Sequence, residues 1–406
     1  MKIWLINHYA VPPHYYPLAR PSLFAKNLIK MGHDVTIIAA STVHNSDLDM
    51  INDESRVKRE VIDGIPYVFI KCRHYKGNGI DRVINILEFA IKLPRVCNTL
   101  DKPDAIVATS FDPLSCYQGV RYAKKHGIKA IAEIADLWPE TLVEYAHLSR
   151  KNPIVSILRK IEHNIYAESD EIIFTGAGGY ESIVDQGWEE DIPKTKAHYI
   201  NNGIDLVQFD SNKKNYRTED LDLDNPDFFK VIYTGSIRKV NNVGGILDIA
   251  KEVTNPKIVF LIWGDGDELP KLKQRINDEH ISNVIFKGVV EKKFVPYIVS
   301  RADLNFAHNT ASPLFKYGLS FNKIFDYLAA GKPIICDFPS NFNPIIMGGA
   351  GVSVESANPK DVAKQIESFA DMVPVEYDRF CVAAKKAAKD YDFELLTQRL
   401  LSVITR

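Results

Sequence analysis

Cysteine is scarce in this chain and follows no pattern. The five cysteines among 406 residues, Cys72, Cys97, Cys116, Cys336 and Cys381, form no C-x-x-C pair. That excludes a disulfide framework and a cysteine zinc site, and it fits reduced thiols in the cytoplasm. Long apolar runs are missing too. No window approaches the ~18 apolar residues of a membrane-spanning helix, so any membrane contact is peripheral. The apolar run at the N-terminus stops at Asn7-His8, too soon for a secretory leader. Neither sign of charge dominates: 50 Lys and Arg face 52 Asp and Glu, a net charge of −2. A large nucleic-acid footprint is therefore not expected. Low-complexity tracts are absent. The remaining composition, 46% hydrophobic and 25% charged, is that of a globular protein. A chain of this length is expected to divide into two domains of ~200 residues.

Short apolar runs alternate with helical patterns almost throughout, which predicts parallel sheets with crossover helices. Strands are expected at Ile3–Ile6, Val35–Ala39, Tyr67–Ile70, Ala105–Ala108, Ala130–Ile134 and Glu171–Phe174. In the second half they are expected at Val231–Tyr233, Ile258–Ile262, Val284–Phe286, Leu304–Ala307, Ile334–Cys336 and Gly351–Val354. The break between halves falls near Asn201-Asn-Gly-Ile-Asp205. The polar stretch Asp210–Asp227 after it reads as a surface linker or excursion. Tyr166-Ala-Glu-Ser-Asp-Glu-Ile-Ile-Phe174 echoes Val299-Ser-Arg-Ala-Asp-Leu-Asn-Phe306 at similar depth in each half. Two doubly wound domains of one class would produce that echo. Ligands of such sheets bind at the carboxyl ends of the strands, and the expected site is a cleft between two facing domains.

The stretch Lys316–Pro333 carries the densest signal. Phe321, Ile324, Phe325 and Leu328 are spaced i, i+3, i+4, i+7, one helix face. Ser320 stands at the expected N-cap, Gly331 at the expected end, and Pro333 beyond it. Gly318, Leu319 and Ser320 would offer bare amides at the helix start, a site for phosphate. Lys323 lies in the first turn, where the helix dipole disfavours a cation unless an anion binds. Three more loops follow expected strands. Tyr233-Thr-Gly-Ser-Ile-Arg-Lys239 offers Gly235, Ser236, Arg238 and Lys239, suited to a diphosphate or simply to a surface turn. Trp263-Gly-Asp-Gly-Asp267, with Asp265 and Gly266, permits close backbone approach and is also a plain turn signal. Gly288 and Val289 could present backbone groups to a base edge. Together these loops would meet on one sheet rim.

In the first half, Asp136 and Glu140 follow a buried strand. A carboxylate there can orient or deprotonate an acceptor hydroxyl; Asp136 serves equally as a helix N-cap. His8 and Arg20 follow the first strand. His8 reads as a lip residue or a satisfied strand-end polar group, and Arg20 as a phosphate or acceptor contact. Arg73–Arg95 has basic residues flanking an apolar helical pattern, either a core-facing helix or a membrane-surface one. No Asp-x-Asp metal motif stands out at a strand end.

The order Tyr-Thr-Gly-Ser-Ile-Arg238, Trp-Gly-Asp-Gly266, Phe-Lys-Gly-Val-Val290, Phe-Asp-Tyr-Leu-Ala-Ala-Gly-Lys-Pro-Ile-Ile335 resembles the donor domain of glycosyltransferase family 4. Met1–Tyr9, Met31-Gly-His-Asp-Val-Thr-Ile37 and Asp136-Leu-Trp-Pro-Glu140 are similar to its bacterial branch building O-antigen and capsule. The resemblance covers nearly the whole chain. It implies a GT-B fold of two Rossmann-like domains: acceptor domain 1–203, donor domain 204–385, and a final helix 386–406 crossing back. It also implies a retaining transfer from a nucleotide-diphosphate sugar to a sugar acceptor, commonly a glycolipid, with no obligate metal. Cations and helix amides would then meet the leaving diphosphate. Of two glutamates that the family places eight positions apart, the second falls on Asp326, suited to ribose, and the first on Gly318. The lysine after the first glycine loop falls on Asn241. The glycine-rich loop of the first half is replaced by the bulkier Val11–Arg20. Two other readings keep the architecture: a nucleotide-sugar epimerase, and a non-catalytic nucleotide-sugar-binding partner protein.

Overall fold

The apolar runs become strands of two largely parallel sheets. In the computed structural model, which describes residues 1–15, 19–44, 46–356 and 358–406, each sheet belongs to its own α/β unit. The first unit comprises Met1–Asn201 with Phe393–Arg406, and the second Asn202–Asp392.

In the first unit the strands are β1 (Lys2–Ile6), β2 (Asp34–Ala40), β3 (Val57–Ile62), β4 (Ile65–Ile70), β5 (Ala105–Thr109), β6 (Lys129–Ile134), β7 (Glu171–Phe174) and β8 (Ala197–Tyr199). Their order is β3-β4-β2-β1-β5-β6-β7-β8. All pairs are parallel except β3 with β4. Because successive side chains alternate faces, β1 feeds two cores: Trp4 and Ile6 join one, Ile3 and Leu5 the other. The second of these cores also takes Phe393, Leu396 and Leu400 from the last helix, Phe393–Ile404, against Phe24 and Leu28 of the Arg20–Lys30 helix.

Two strands had no apolar run to announce them. In β3, Val-Lys-Arg-Glu-Val-Ile, no residue is fully buried, because it is an edge strand facing water. Its hairpin turn, Asp63-Gly64, has φ values of 52° and 76°, the left-handed pair that Asp-Gly favours. β8 is three half-buried residues.

The second unit holds β9 (Phe229–Thr234), β10 (Ile258–Trp263), β11 (Val284–Gly288), β12 (Leu304–Ala307), β13 (Ile334–Cys336) and β14 (Gly351–Ser353). They are all parallel, in the order β11-β10-β9-β12-β13-β14. The order turns back between β9 and β12, as it does between β1 and β5 in the first unit, so both sheets are doubly wound. Residues 210–227 are not a bare linker. The Leu206–Asn215 helix runs into them, and a short helix, Leu221–Asp224, is capped by Asp220. Leu223 is fully buried, and Lys287 of β11 bridges Asp220 and Asp222 at 2.7 Å each. Charge count alone hid that one anchoring leucine.

Candidate functional site

Where β9 and β12 turn away from each other, their loops leave the sheet in opposite directions, which opens a crevice at the carboxyl ends. The loops after β9, β10 and β11 are laced together by backbone bonds. The Gly235 amide donates to the Trp263 carbonyl (3.0 Å), Gly264 to Gly288 (2.9 Å), and Ile237 to Asp265 (2.8 Å). Gly264 is required by this lacing, since a Cβ there would lie 1.8 Å from the Gly235 carbonyl oxygen. The lacing brings Gly235, Asp265, Gly266 and Gly288 onto one rim. Ser236, Arg238 and Lys239 lie on the β9 loop with exposed side chains, and Asp265 is exposed too. Val289 is 69% exposed. Asn241 donates to the Ser236 carbonyl (2.8 Å) and hydroxyl (2.5 Å), so this position shapes the loop.

The Asn322–Ala330 helix closes the rim from below. Lys323 reaches back under the β9 loop. Its Nζ donates to Tyr233 Oη at 3.0 Å and lies 4.1 Å from the centre of that ring, a cation–π contact. A Cβ on Gly235 would be 3.1 Å from this amine, so lysine and loop are in contact. Burial lowers the Lys323 pKa to about 7, with Asp337 pulling it the other way. One turn on, Tyr327 Oη accepts from the Thr234 amide (2.9 Å) and from its hydroxyl (3.2 Å). Lys323 and Tyr327, at i and i+4, thus share one helix face and both pin the end of β9. Asp326 is buried on the same helix, and burial raises its carboxyl pKa, opposed by Lys292.

The helix starts one residue later than the pattern suggests. Phe321, not Ser320, is the N-cap, and no side chain caps it. The Ser320 hydroxyl oxygen is buried without a partner among the described residues, and the Ser320 carbonyl accepts from Asn202 (2.9 Å). The Leu319 side chain is buried in the unit. Gly318 ends a 3-10 turn with φ 113° and ψ 170°, a region essentially confined to glycine. Where the resembled family has glutamate, this backbone conformation would strain any side-chain-bearing residue.

Sequence reasoning overlooked His308 and Asp337, which follow β12 and β13. His308 Nδ1 lies 2.5 Å from Asp337 Oδ2, and its Nε2 lies 2.6 Å from the Asn242 carbonyl oxygen. Their position just after two expected strands was the available signal.

In the first unit the corresponding turning point lies between β1 and β5. His8 is not a lip residue. It is buried, its Nε2 donates to Asn85 Oδ1 (2.6 Å), and its Nδ1 faces Asp112 Oδ2 at 3.6 Å. Burial lowers its pKa to about 3, against the Asn85 bond and with help from Arg82, so the ring is neutral. Asp112, also missed, caps the Pro113–Lys125 helix through the Ser115 amide (2.7 Å). Burial raises its pKa to about 6. Arg20 is no exposed lip residue either. It is buried, bound to Glu133 (2.9 and 2.8 Å) and to the carbonyls of Ile200 (2.9 Å) and Asn201 (2.5 Å). Glu140 is held by Arg150 (2.7 Å) and Arg159, so it serves the loop rather than proton transfer. Asp136 is half-buried and caps nothing, since Pro139 is the N-cap of the Glu140–Tyr145 helix. Burial raises the Asp136 carboxyl to about 6, with Arg82 opposing. Of the four first-unit candidates, it alone keeps a carboxylate suited to a ligand. Part of the Val11–Arg20 lip, residues 16–18, lies outside the described residues.

Residues 23–208 match the family described as Glycosyltransferase Family 4, and residues 229–371 match Glycosyl transferases group 1. The chain carries the two domains of a GT-B glycosyltransferase. Solved structures share the fold of this glycosyltransferase over its full length. HepE of Anabaena, crystallised with UDP, is 13% identical with a TM-score of 0.68, covering 100% of both chains. Sucrose-phosphate synthase of Thermosynechococcus elongatus is 14% identical with a TM-score of 0.72, covering 100% of this chain and 98% of its own. A trehalose-6-phosphate structure from E. coli, bound with UDP-2-fluoro glucose, is 9% identical with a TM-score of 0.74, covering 100% and 99%. Among curated proteins, none matches the sequence significantly.

Proposed function

We propose that the chain transfers a sugar from a nucleotide-diphosphate donor to a sugar acceptor. One observation carries the reading: the Lys323 amine is held beneath Gly235, and its hydrogen-bond partner is a neutral phenol. Once protonated it needs a counter-charge, and a diphosphate over the β9 loop supplies it. Ser236, Arg238 and Lys239 then flank the phosphates, with the first-turn amides of the Asn322–Ala330 helix. Asp326 is assigned to the ribose and Gly288–Val289 to the base edge. Asp136 is assigned to the acceptor hydroxyl, its raised pKa suiting proton exchange near neutrality. The scheme includes no metal. HepE of Anabaena has also been crystallised with UDP-glucose, which supports a nucleotide-sugar donor here.

Retention at the anomeric carbon, and a place in cell-surface polysaccharide assembly, extend the same reading. They are supported by the family 4 match over residues 23–208 and by the Asp136–Glu140 segment. A lipid-linked acceptor is supported by the Ile80–Cys97 helix. Ile80, Val83, Leu87 and Ile91, at i, i+3, i+7 and i+11, are 75, 53, 43 and 60% exposed, with Arg95 exposed in the last turn. Such a stripe suits the surface of an anionic bilayer, where the cytoplasmic face of a cell membrane would present the acceptor. Among the described residues no helix is long and apolar enough to cross a membrane.

A thermal-shift series with UDP, GDP, dTDP and their sugars tests the donor, because a ligand of the native state raises the midpoint by mass action. Stabilisation by a nucleoside diphosphate in the wild type but not in Lys323→Met supports the assignment. No stabilisation by any of them would overturn it. Transfer, or donor hydrolysis lost in Asp326→Asn, separates an enzyme from a non-catalytic binding partner.

A further inference from the structure

The β9 loop that bears Ser236, Arg238, Lys239 and Asn241 is tethered at its far end by a histidine–aspartate couple from two other loops. Asn242 ends the loop in the left-handed region, φ 48° and ψ 40°, and begins the Val243–Glu252 helix. Its carbonyl oxygen is 2.6 Å from His308 Nε2. That oxygen can only accept, so Nε2 must carry a proton. The other ring nitrogen, 2.5 Å from Asp337 Oδ2, faces a carboxylate. One proton is therefore shared between Nδ1 and Oδ2 while Nε2 donates to the carbonyl, so the ring is held from both nitrogens. The side chains of His308 and Asp337 are 3% and 7% exposed, so solvent does little to weaken the pair. The helix is cut away to admit the ring: a Cβ on Gly245 would lie 3.0 Å from His308 Cε1 and 2.8 Å from Asn242 Nδ2.

The couple therefore spans the turning point of the sheet, with His308 after β12, Asp337 after β13 and Asn242 at the end of the β9 loop. Asp337 is also the charge that Lys323 feels from this side. We infer that His308, oriented by Asp337, is a positioning residue that fixes the β9 loop through the Asn242 carbonyl, so that the loop meets the donor's diphosphate already shaped. The inference rests on the donor site proposed above. It assigns His308 no contact with substrate. Its effect is preorganisation: a loop held in its binding geometry does not have to be ordered by the ligand.

The test is calorimetric titration of the full chain with whichever of UDP, GDP and dTDP stabilises the wild type most, and with the matching nucleoside. His308→Ala, His308→Gln, Asp337→Ala and the His308→Ala/Asp337→Ala double variant are compared. His308→Ala should weaken the diphosphate at least tenfold and the nucleoside less than threefold. His308→Gln keeps a donor for the Asn242 carbonyl and should recover part of that loss. Because histidine and aspartate act as one unit, the double variant should be no worse than the poorer single one. Diphosphate affinity within twofold of wild type in a folded His308→Ala protein overturns the inference. So does an equal loss for nucleoside and diphosphate, or additive single losses. If neither His308 variant folds, the couple is a core ion pair and the positioning role is likewise refuted. A wild type that binds none of the three diphosphates sinks the donor-site reading itself, an outcome distinct from these.

Discussion

Lys323 sits where a lysine is costly, in the first turn of a helix and partly out of water. With the proposed donor site, its pKa of about 7 predicts that diphosphate binding depends on pH. An unfolded lysine keeps its proton to ~10.4, so between about 7 and that value the unfolded chain binds more protons than the folded one. This residue's contribution to stability therefore rises with pH across that window. Ligand affinity moves the other way. A diphosphate favours the charged amine, so affinity should fall from pH 7 to 9, and binding at pH 8 should take up a proton. Titration in two buffers of different ionisation enthalpy reads that proton directly. Lys323→Met should abolish the uptake and remove a charge-assisted contact of about 1.5–3 kcal/mol, roughly 10- to 100-fold in affinity. Arg20 offers the opposite case. It is a buried cation that donates to Glu133 and to the carbonyls of Ile200 and Asn201. Arg20→Met should cost about 3–5 kcal/mol in urea unfolding, because it leaves Glu133 buried and unpaired. It should leave diphosphate affinity of the folded protein unchanged. The two cations look alike in sequence. What separates them is the partner each has in space, a phenol for one and a carboxylate for the other.

At the scale of elements, the segment from Pro313 to Ala330 is a 3-10 turn, a glycine in an extended left-handed conformation, and a helix. The helical spacing of Phe321, Ile324, Phe325 and Leu328 and the stop at Gly331 were readable in advance. The backbone of Gly318 was not, because φ 113° is imposed by how the turn joins the helix. Gly318→Ala should destabilise the protein by about 1–3 kcal/mol, measured by urea unfolding, and Gly318→Glu should not restore a family-like site. An unchanged denaturation midpoint for the alanine variant would contradict that strain. The Ile80–Cys97 helix makes a second prediction. Its pattern was compatible with a core-facing or a membrane-facing helix, and it has both faces. Phe89, Leu93 and Cys97 are in the core, while Val83 and Ile91 are open to solvent. A Val83→Asp/Ile91→Asp variant should sediment less with vesicles rich in anionic lipid and keep its affinity for nucleoside diphosphate. Equal sedimentation would remove this helix from any membrane contact.

At the scale of the whole chain, the first unit is discontinuous. It borrows Phe393–Ile404 from beyond the second unit, burying Phe393, Leu396, Leu400 and Val403 in the core with Phe24 and Leu28. A full chain truncated after Asp392 should lose much of the first unit's stability, since each such side chain contributes about 1.5–3 kcal/mol by burial. The second unit, residues 202–392, is continuous and has its own core. Made alone, it should fold and bind the preferred nucleoside diphosphate. Circular dichroism and calorimetry of the two truncations check both statements. A stable 1–392 chain, or an unfolded 202–392 segment, would refute the corresponding one.

Local chemistry was enough to predict twelve strands, the helices between them, and a glycine-bearing rim in the second half. Apolar period, glycine and proline are properties of neighbouring residues, and they act before any long-range contact forms. Long-range contacts assigned the polar residues. His8, Arg20 and Glu140 looked available beside their strands, and the fold closed each of them with Asn85, Glu133, or Arg150 and Arg159, partners as far as 113 residues away. His308 meets Asn242 and Asp337 only because β12 lies between β9, across the turning point of the sheet, and β13. A side chain's role follows from its burial and its partners, and in a doubly wound sheet those partners come from strands that are distant in sequence.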